Sequence, residues 1–205
     1  MQSSTSTLDA PCASLTHTCW TDSAKVKEQE RELRILILGL DNAGKTTIVQ
    51  SLCYGADTAA LQQVEPTLGF QIHSLDYADF HLNLWDIGGQ SSIRAYWRNY
   101  FEQTDGIVWV VDSSDASRLP LVQQELSRVL QQERLAGASL LIWANKQDVA
   151  GSLGVQEIAK ALQLPKSDDG RHWSIHACSG ITGEGLLEGM DWLVQDIGSR
   201  IFLLS

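Results

Sequence analysis

The chain has 205 residues, of which 43% are hydrophobic, and a formal net charge of −10. This length suits one ordinary domain with a full core, and no apolar run approaches the roughly 18 residues that span a bilayer. The negative charge argues against nucleic acid or an anionic membrane surface as the main partner. Four cysteines without metal-site or disulfide-framework spacing are typical of a reducing compartment, so we expect a cytoplasmic location.

The first 24 residues differ in composition from the rest of the chain. They are rich in Ser and Thr, contain Pro11 and show no convincing periodicity, so we expect segment 1–24 to be disordered or to depend on a partner for its structure. Residues 25–205 are predicted to form one domain. Gln2 stands where N-myristoylation requires a glycine, and no prenylation motif ends the chain, so the sequence predicts no stable membrane anchor.

The first half of the domain is predicted to contain a helical segment, a strand, a helix and a hairpin. Residues 25–34 are charged and helix-prone, and 35–38 is an apolar run typical of a buried strand. A glycine-rich loop then opens a helix that is expected to run to about Cys53, and 54–67 is a polar connector. Two segments follow that are expected to pair antiparallel: Phe70–Tyr77 and Phe80–Ile87.

The second half of the domain alternates strands with helices. Apolar runs at 107–111, 140–144 and Trp173–Ala177 predict three more strands. Apolar residues at helical spacing predict one helix between the first two runs and one at the C-terminus: Val122, Leu126, Val129 and Leu130, then Leu186, Met190, Leu193, Ile197 and Ile201. This alternation predicts an α/β fold, a doubly wound and mostly parallel six-stranded sheet with one antiparallel edge strand. Its ligand is expected at the carboxyl ends of the strands.

A phosphate-binding loop follows the first predicted strand. Its sequence is Gly39-Leu40-Asp41-Asn42-Ala43-Gly44-Lys45-Thr46. In such a loop, backbone N–H groups surround phosphate oxygens, the lysine reaches the outer phosphates and the hydroxyl that follows it binds Mg²⁺. A single match of this pattern also recurs by chance, and it becomes specific only because two further motifs follow it in order.

Both further motifs stand directly after predicted strands. The first, Asp86-Ile87-Gly88-Gly89-Gln90, places a carboxylate near the metal and a glycine N–H beside the terminal phosphate. The second is Asn145-Lys146-Gln147-Asp148. The carboxylate of Asp148 can accept two hydrogen bonds from the N1–H and N2–H₂ groups of guanine, a donor pair that adenine lacks. The three motifs predict GTP and GDP as ligands, with Mg²⁺, and they oppose an ATP-using enzyme.

With these motifs in this order, residues 25–202 resemble small GTPases of the ADP-ribosylation-factor class, which implies the P-loop small GTPase fold. The phosphate loop extended to Thr47 carries this resemblance, together with three more stretches: Pro66-Thr67-Leu68-Gly69-Phe70, Trp85-Asp86-Ile87-Gly88-Gly89-Gln90 and Tyr96-Trp97-Arg98-Asn99-Tyr100-Phe101. Within the class, residues 133–138 and the ending Arg200-Ile201-Phe202 resemble the branch that acts with tubulin-folding cofactors.

The resemblance implies the roles of the site residues. Thr46 and Thr67 would bind Mg²⁺, Gly89 would donate its N–H to the γ-phosphate, and Gln90 would be the catalytic residue that orients the attacking water. The nucleotide would be held by the following residues: Asp41, Asn42, Ala43, Gly44, Lys45, Thr46 and Thr47 at the phosphates, and Asn145, Lys146, Asp148, Ser179 and Gly180 at the base. The family usually has Ser-Ala at the last of these motifs, and the N–H of Gly180 is expected to reach guanine O6.

The resemblance also implies partners. Phe70, Trp85 and Tyr100 match the aromatic residues of the family's effector surface. A tubulin-folding cofactor and a lipidated-cargo carrier are the expected partners of a cytoplasmic, cytoskeleton-associated monomer in microtubule-related processes. No Lys or Arg occurs between Lys45 and Arg94, so we expect slow hydrolysis until an activating protein supplies a catalytic group in trans. The alternative is a GTP-bound scaffold with negligible turnover.

Overall fold

The computed structural model describes residues 32–56, 61, 64–164 and 170–203, and the prediction for segment 1–24 lies outside these residues. Six strands form one sheet: β1 Glu32–Leu38, β2 Phe70–Tyr77, β3 Phe80–Ile87, β4 Gly106–Asp112, β5 Ser139–Asn145 and β6 Trp173–Ala177. Their order is β2-β3-β1-β4-β5-β6. Strand β2 lies at the edge and pairs antiparallel with β3, whereas β4 pairs in parallel with β1 and β5, and β5 with β6. The predicted fold class is confirmed.

Helices cover both faces of this sheet. They are α1 Lys45–Tyr54, α2 Ser91–Arg94, α3 Leu119–Leu130, α4 Val155–Leu162 and α5 Leu186–Leu203. Three short 3-10 helices lie between them, at Trp97–Tyr100, Ala116–Arg118 and Glu133–Leu135. The sequence predicted α1, α3 and α5 but not the shorter helices. In the described part of the chain, no helix is both long and apolar enough to cross a membrane.

The prediction of helix for residues 25–34 is wrong for residues 32–34, which form the start of β1. Leu33 is buried on the same face of the strand as Ile35 and Ile37. The buried part of the strand therefore begins two residues before the apolar run 35–38. Charged residues at 32 and 34 favour a helix locally, but β1 lies between β3 and β4 and pairs with β4 from Ile35 onward. Tertiary pairing therefore overrides local propensity here.

The core consists of two apolar layers, one on each face of the sheet. One layer joins alternate residues of the central strands to α3 and α4, and includes Leu36, Trp109 and Ile142. The other joins the intervening residues to α1 and α5, and includes Ile37 and Trp143. All of these side chains are fully buried. Because both faces are covered, the central strands read as continuous apolar runs in the sequence.

The parallel strands end at one edge of the sheet, and the three sequence motifs lie there. The phosphate loop follows β1, the Asp86 motif spans the end of β3, and the Asn145 motif follows β5. The order of β3, β1, β4 and β5 in the sheet places these loops around the end of β1. This is the edge where open α/β sheets bind ligands.

Candidate active site

The phosphate loop packs directly against the Asn145 motif. Gly44 adopts a φ of +91°, and a Cβ atom at this position would lie 2.3 Å from Nδ2 of Asn145. Only glycine fits there, because a side chain would meet both backbone strain and a steric clash. The loop leads into α1, whose N-terminal N–H groups are available to an anion.

Lys45 lies across the loop. Its Nζ donates hydrogen bonds to the carbonyl oxygens of Gly39 at 3.0 Å and Leu40 at 2.8 Å. Burial lowers the pKa of Lys45 to about 8, although the carboxylates of Asp86 and Asp41 act in the opposite direction. An ammonium group held in this way gains from any further negative charge nearby, which the outer phosphates of a nucleotide would supply.

Two hydroxyls and one carboxylate converge beside Lys45. The Oγ1 atoms of Thr46 and Thr67 are 2.7 Å apart, and both donate to Oδ2 of Asp86, at 2.6 Å and 3.1 Å. Asp86 is fully buried, and its Oδ1 has no hydrogen-bond partner within the described residues. Oxygen donors of this kind are the ligands that Mg²⁺ prefers, so the residues present fit the expected ion. The structure brings together the two predicted metal ligands, Thr46 and Thr67.

A pocket of about 270 Å³ opens over this cluster. Its described lining contains most of the residues predicted to hold the phosphates, together with Gly89 and Gln90: Asp41, Asn42, Gly44, Lys45, Thr46, Thr47, Val64, Glu65, Pro66, Thr67, Gly88, Gly89 and Gln90. Among these residues Lys45 is the only cation. Gln90 lies immediately before α2, and its carbonyl accepts hydrogen bonds from two N–H groups of that helix.

Asn145 connects three segments on the predicted base side of the site. Its Nδ2 donates to the carbonyl of Ala43 in the phosphate loop at 2.8 Å, and its Oδ1 accepts from the N–H of Gly180 at 2.8 Å. Asn145 is buried, so its side chain acts as a structural bridge in this conformation. The Gly180 N–H that was predicted to reach guanine O6 is engaged by the protein itself.

Asp148 is exposed and oriented by a neighbour. Ser179 donates its hydroxyl to Oδ1 of Asp148 at 2.6 Å. The adjacent Lys146 donates to Oδ2 of Asp112 at 2.6 Å, which holds its side chain beside the end of β4. The predicted base-reading residues are therefore neighbours in space. Buried Cys178 lies behind them, and burial, with the charge of Asp148, raises the pKa of its thiol.

Arg118 is a site residue that was not predicted from the sequence. Its Nη1 donates to the backbone carbonyl of Asp41 at 3.1 Å and to Oδ2 of the same residue at 3.2 Å. Its Nε also donates to Asp115 at 2.6 Å. A cation in the 3-10 helix after β4 thus neutralises the carboxylate of the phosphate loop. The only sequence signal was its position a few residues beyond the carboxyl end of a strand.

The three aromatic residues predicted to form an effector surface lie together. Ring centroids are 5.4 Å apart for Phe70 and Trp85, 5.1 Å for Phe70 and Tyr100, and 6.1 Å for Trp85 and Tyr100. The guanidinium of Arg34 lies 3.9 Å from the centroid of Trp85, a cation–π contact that the sequence did not predict. Phe70 is 43% exposed, and exposed Leu68 and Ile72 lie on either side of it along the chain.

A doubly wound sheet with these three motifs at its carboxyl edge defines a P-loop nucleotide-binding domain of the small GTPase class. The chain belongs to the ADP-ribosylation factor family, whose model matches residues 20–197. It is thus a GTP hydrolase, and GTP or GDP with Mg²⁺ is typical of the family.

Comparisons with individual proteins agree with this membership. The chain is 59% identical over 181 residues to ADP-ribosylation factor-like protein 2 of Arabidopsis thaliana, covering 88% of this chain and 96% of that one. The Dictyostelium discoideum protein of the same name is 51% identical over the same coverage. Among solved structures, the Arl6 BBS3 small GTPase of Trypanosoma brucei with bound GppNp superposes with a TM-score of 0.74. The two sequences are 30% identical, and the matched region covers 82% of this chain and 98% of the Trypanosoma brucei chain.

Proposed function

We propose that this GTPase is a regulatory switch that cycles between GDP-bound and GTP-bound states, with slow intrinsic hydrolysis that an activating protein accelerates. The observation that carries the proposal is the contact of Thr67 with Thr46 and Asp86. This contact joins the segment before β2 to the phosphate loop through groups suited to Mg²⁺. A segment attached in this way can respond to the metal and to the γ-phosphate, which is the basis of GTPase switching.

The charges around the pocket are the reason that we expect slow intrinsic hydrolysis. Gln90 would orient the attacking water, and Gly89 and Lys45 would hold the γ-phosphate. Bound Mg²⁺ would neutralise part of the charge on the phosphate oxygens. The nearby cation Arg118 is already paired with Asp41 and Asp115. Charge that develops during hydrolysis is therefore only partly compensated, and an arginine supplied in trans would add on the order of 10³–10⁵ in rate.

Single-turnover hydrolysis tests this proposal against the alternative of a scaffold that binds GTP without turnover. The full chain, loaded with GTP, should hydrolyse it slowly alone and faster with a cell fraction containing the activating protein. Gln90→Leu should retain GTP affinity but lose the acceleration. Substitution of Asn83, a half-buried residue of β3 that does not line the pocket, by alanine is the control. A parent chain that the cell fraction does not accelerate would favour the scaffold. Equal acceleration of the parent chain and Gln90→Leu would show instead that Gln90 does not orient the water.

We further propose that the GTP-bound form acts in the cytoplasm on a tubulin-folding cofactor or a lipidated-cargo carrier, as the resemblance to the tubulin-cofactor branch implies. Support comes from the clustered rings of Phe70, Trp85 and Tyr100, of which Phe70 is exposed and the other two are half-buried, since accessible aromatic residues are frequent binding hot spots. Binding of each purified partner class should be stronger to the GTP-loaded chain and should fall on Phe70→Ala. Leu187→Ala, which alters an exposed apolar residue of α5, is the control. Equal binding of both nucleotide forms would contradict the effector role.

A further inference from the structure

Trp97 is a buried residue that contacts the Asp86 motif from outside the phosphate pocket. It begins the 3-10 helix Trp97–Tyr100 and is 3% exposed. Its indole Nε1–H donates a 2.9 Å hydrogen bond to the carbonyl oxygen of Gly88. The ring packs edge-on against Trp109, with centroids 5.8 Å apart and an interplanar angle of 90°. The indole is thus fixed by packing, and its only polar atom holds a backbone carbonyl of the Asp86 motif.

The carbonyl of Gly88 and the N–H of Gly89 belong to the same peptide unit. The peptide bonds are trans throughout the described residues, so these two groups point in opposite directions. When Trp97 holds the carbonyl on one side, the Gly89 N–H is directed to the other. Both glycines line the phosphate pocket, and no described residue accepts a hydrogen bond from the Gly89 N–H.

Apart from the bond to Trp97, the carbonyl of Gly88 and the N–H of Gly89 have no hydrogen-bond partner among the described residues, although both glycines are closely packed. Gly88 donates its N–H to the carbonyl of Gly69 at 2.9 Å, which fixes the near end. Gly89 lies against the phosphate loop, where an added Cβ would come within 2.4 Å of the nitrogen of Asp41. Two consecutive glycines nevertheless permit rotation of the peptide plane between them, because neither has a side chain to restrict it.

We propose that Trp97 is a positioning residue for the GTP-bound state. Its indole N–H fixes the Gly88–Gly89 peptide with the Gly89 N–H directed to the place of the γ-phosphate. The inference rests on the proposed contact between Gly89 and that phosphate. GDP has no γ-phosphate, so the orientation of this peptide affects GTP affinity and leaves GDP affinity unchanged. Trp97 itself does not line the pocket, and it acts only through Gly88 and Gly89.

Replacement of Trp97 by phenylalanine tests this role, with Trp109→Phe as a matched control. Both tryptophans are buried partners in the same ring pair, but Nε1 of Trp109 has no hydrogen-bond partner within the described structure. Dissociation constants of the full chain are measured for GDP and a non-hydrolysable GTP analogue in excess Mg²⁺. Trp97→Phe should weaken the GTP analogue relative to GDP by about tenfold, the scale of one hydrogen bond to a charged group. Trp109→Phe should leave the ratio of the two constants unchanged.

If the ratio of the two dissociation constants in Trp97→Phe equals that of the parent chain, whether or not both affinities fall, the proposal is overturned. If the phenylalanine variant does not fold, β-(3-benzothienyl)alanine at position 97 keeps the ring shape and removes only the N–H donor. The backbone amide resonance of Gly89 distinguishes failure of the γ-phosphate contact from failure of the Trp97 role. If it does not differ between GDP and the GTP analogue in the parent chain, the γ-phosphate contact itself is wrong. If it differs equally in the parent and the variant, only the role of Trp97 is wrong.

Discussion

The base side and the phosphate side of the nucleotide site are built in different ways. On the base side, polar groups are already paired with one another: Asn145 with Ala43 and Gly180, Ser179 with Asp148, and Lys146 with Asp112. Because these bonds are made within the protein, we expect them to hold the base-binding loops with either nucleotide. A change in them should therefore affect GDP and GTP alike.

The phosphate side is built from groups whose interactions become more favourable when a charged ligand binds. Burial lowers the pKa of Lys45, and Oδ1 of buried Asp86 has no partner within the described residues. The hydroxyls of Thr46 and Thr67 share one carboxylate oxygen. A cation and phosphate oxygens are the ligands that would complete these interactions. This side can consequently distinguish GTP from GDP, and the contrast between the two sides leads to four tests, from the largest expected effect to the smallest.

Asn145→Ala should cause the largest loss. It leaves the buried carbonyl of Ala43 and the N–H of Gly180 without their partner, at about 1–3 kcal/mol for each group. We expect the free energy of unfolding to fall by roughly 2–6 kcal/mol in urea denaturation and the affinities for GDP and GTP to fall together. Asn83→Ala, which removes only a bond to exposed Ser74, should have little effect. A loss confined to GTP would contradict the division between the two sides.

Asp148→Asn should change which base is bound without disturbing the phosphates. Loss of the carboxylate removes hydrogen bonds to a charged group, each of roughly 1.5–3 kcal/mol. An amide can donate to the C2 carbonyl of xanthine, so preference should move from GTP toward xanthosine triphosphate in competition binding. Asp79→Asn, in the exposed hairpin turn, is the control. An unchanged preference would remove Asp148 from the role of base reader.

Arg118→Gln should weaken nucleotide binding modestly and GTP more than GDP. The substitution leaves the carboxylate of Asp41 unneutralised at the mouth of the phosphate pocket, and GTP carries the greater negative charge. Both side chains are partly exposed, 28% and 47%, so solvent limits the effect to roughly 0.5–1 kcal/mol. Titration with labelled nucleotide at low and high salt measures it.

Two variants control the Arg118 test. Arg128→Gln on α3, which removes an exposed arginine from its pair with largely buried Glu125, should leave nucleotide affinity unchanged. The double variant with Asp41→Asn should recover most of the loss, because the unneutralised charge is gone. Failure of this rescue would show that Arg118 acts through something other than Asp41.

The sequence predicted the strands along the chain and the three motifs because these features are local. An apolar run followed by a glycine-rich loop indicates a strand and a phosphate-binding site without knowledge of distant residues. Thr46, Thr67 and Gln90 were predicted from short motifs of this kind. Arg118 and the bridging role of Asn145 were not predicted, since they depend on partners 77 and 102 residues away along the chain. Helix α4 was missed because eight residues give few turns in which a period can be recognised.

The last test concerns Cys178, on the base side; its expected effect is about as small as that of Arg118 and depends on pH. Its thiol is buried, its Sγ lies 3.8 Å from Oδ1 of Asn145, and burial raises the pKa of the thiol above its ordinary value of 9.0. The folded chain therefore keeps this proton at a pH where the unfolded chain releases it. Since the folded state then binds more protons, the free energy of unfolding must fall as the pH rises above about 9.

Urea unfolding with GDP in constant excess measures this effect at pH 8.0 and 9.5. Between these values the parent chain should lose about 0.8 kcal/mol more than Cys178→Ala, the linkage expected for one thiol that ionises only after unfolding. Cys53→Ala is the matched control, because that thiol is only half-buried and its pKa is raised less; it should follow the parent chain closely. If Cys178→Ala and the parent chain lost stability in parallel, the thiol would be ionising in the folded state. The base side would then be open to solvent behind Asn145, contrary to the closed and internally paired region that distinguishes it from the phosphate side.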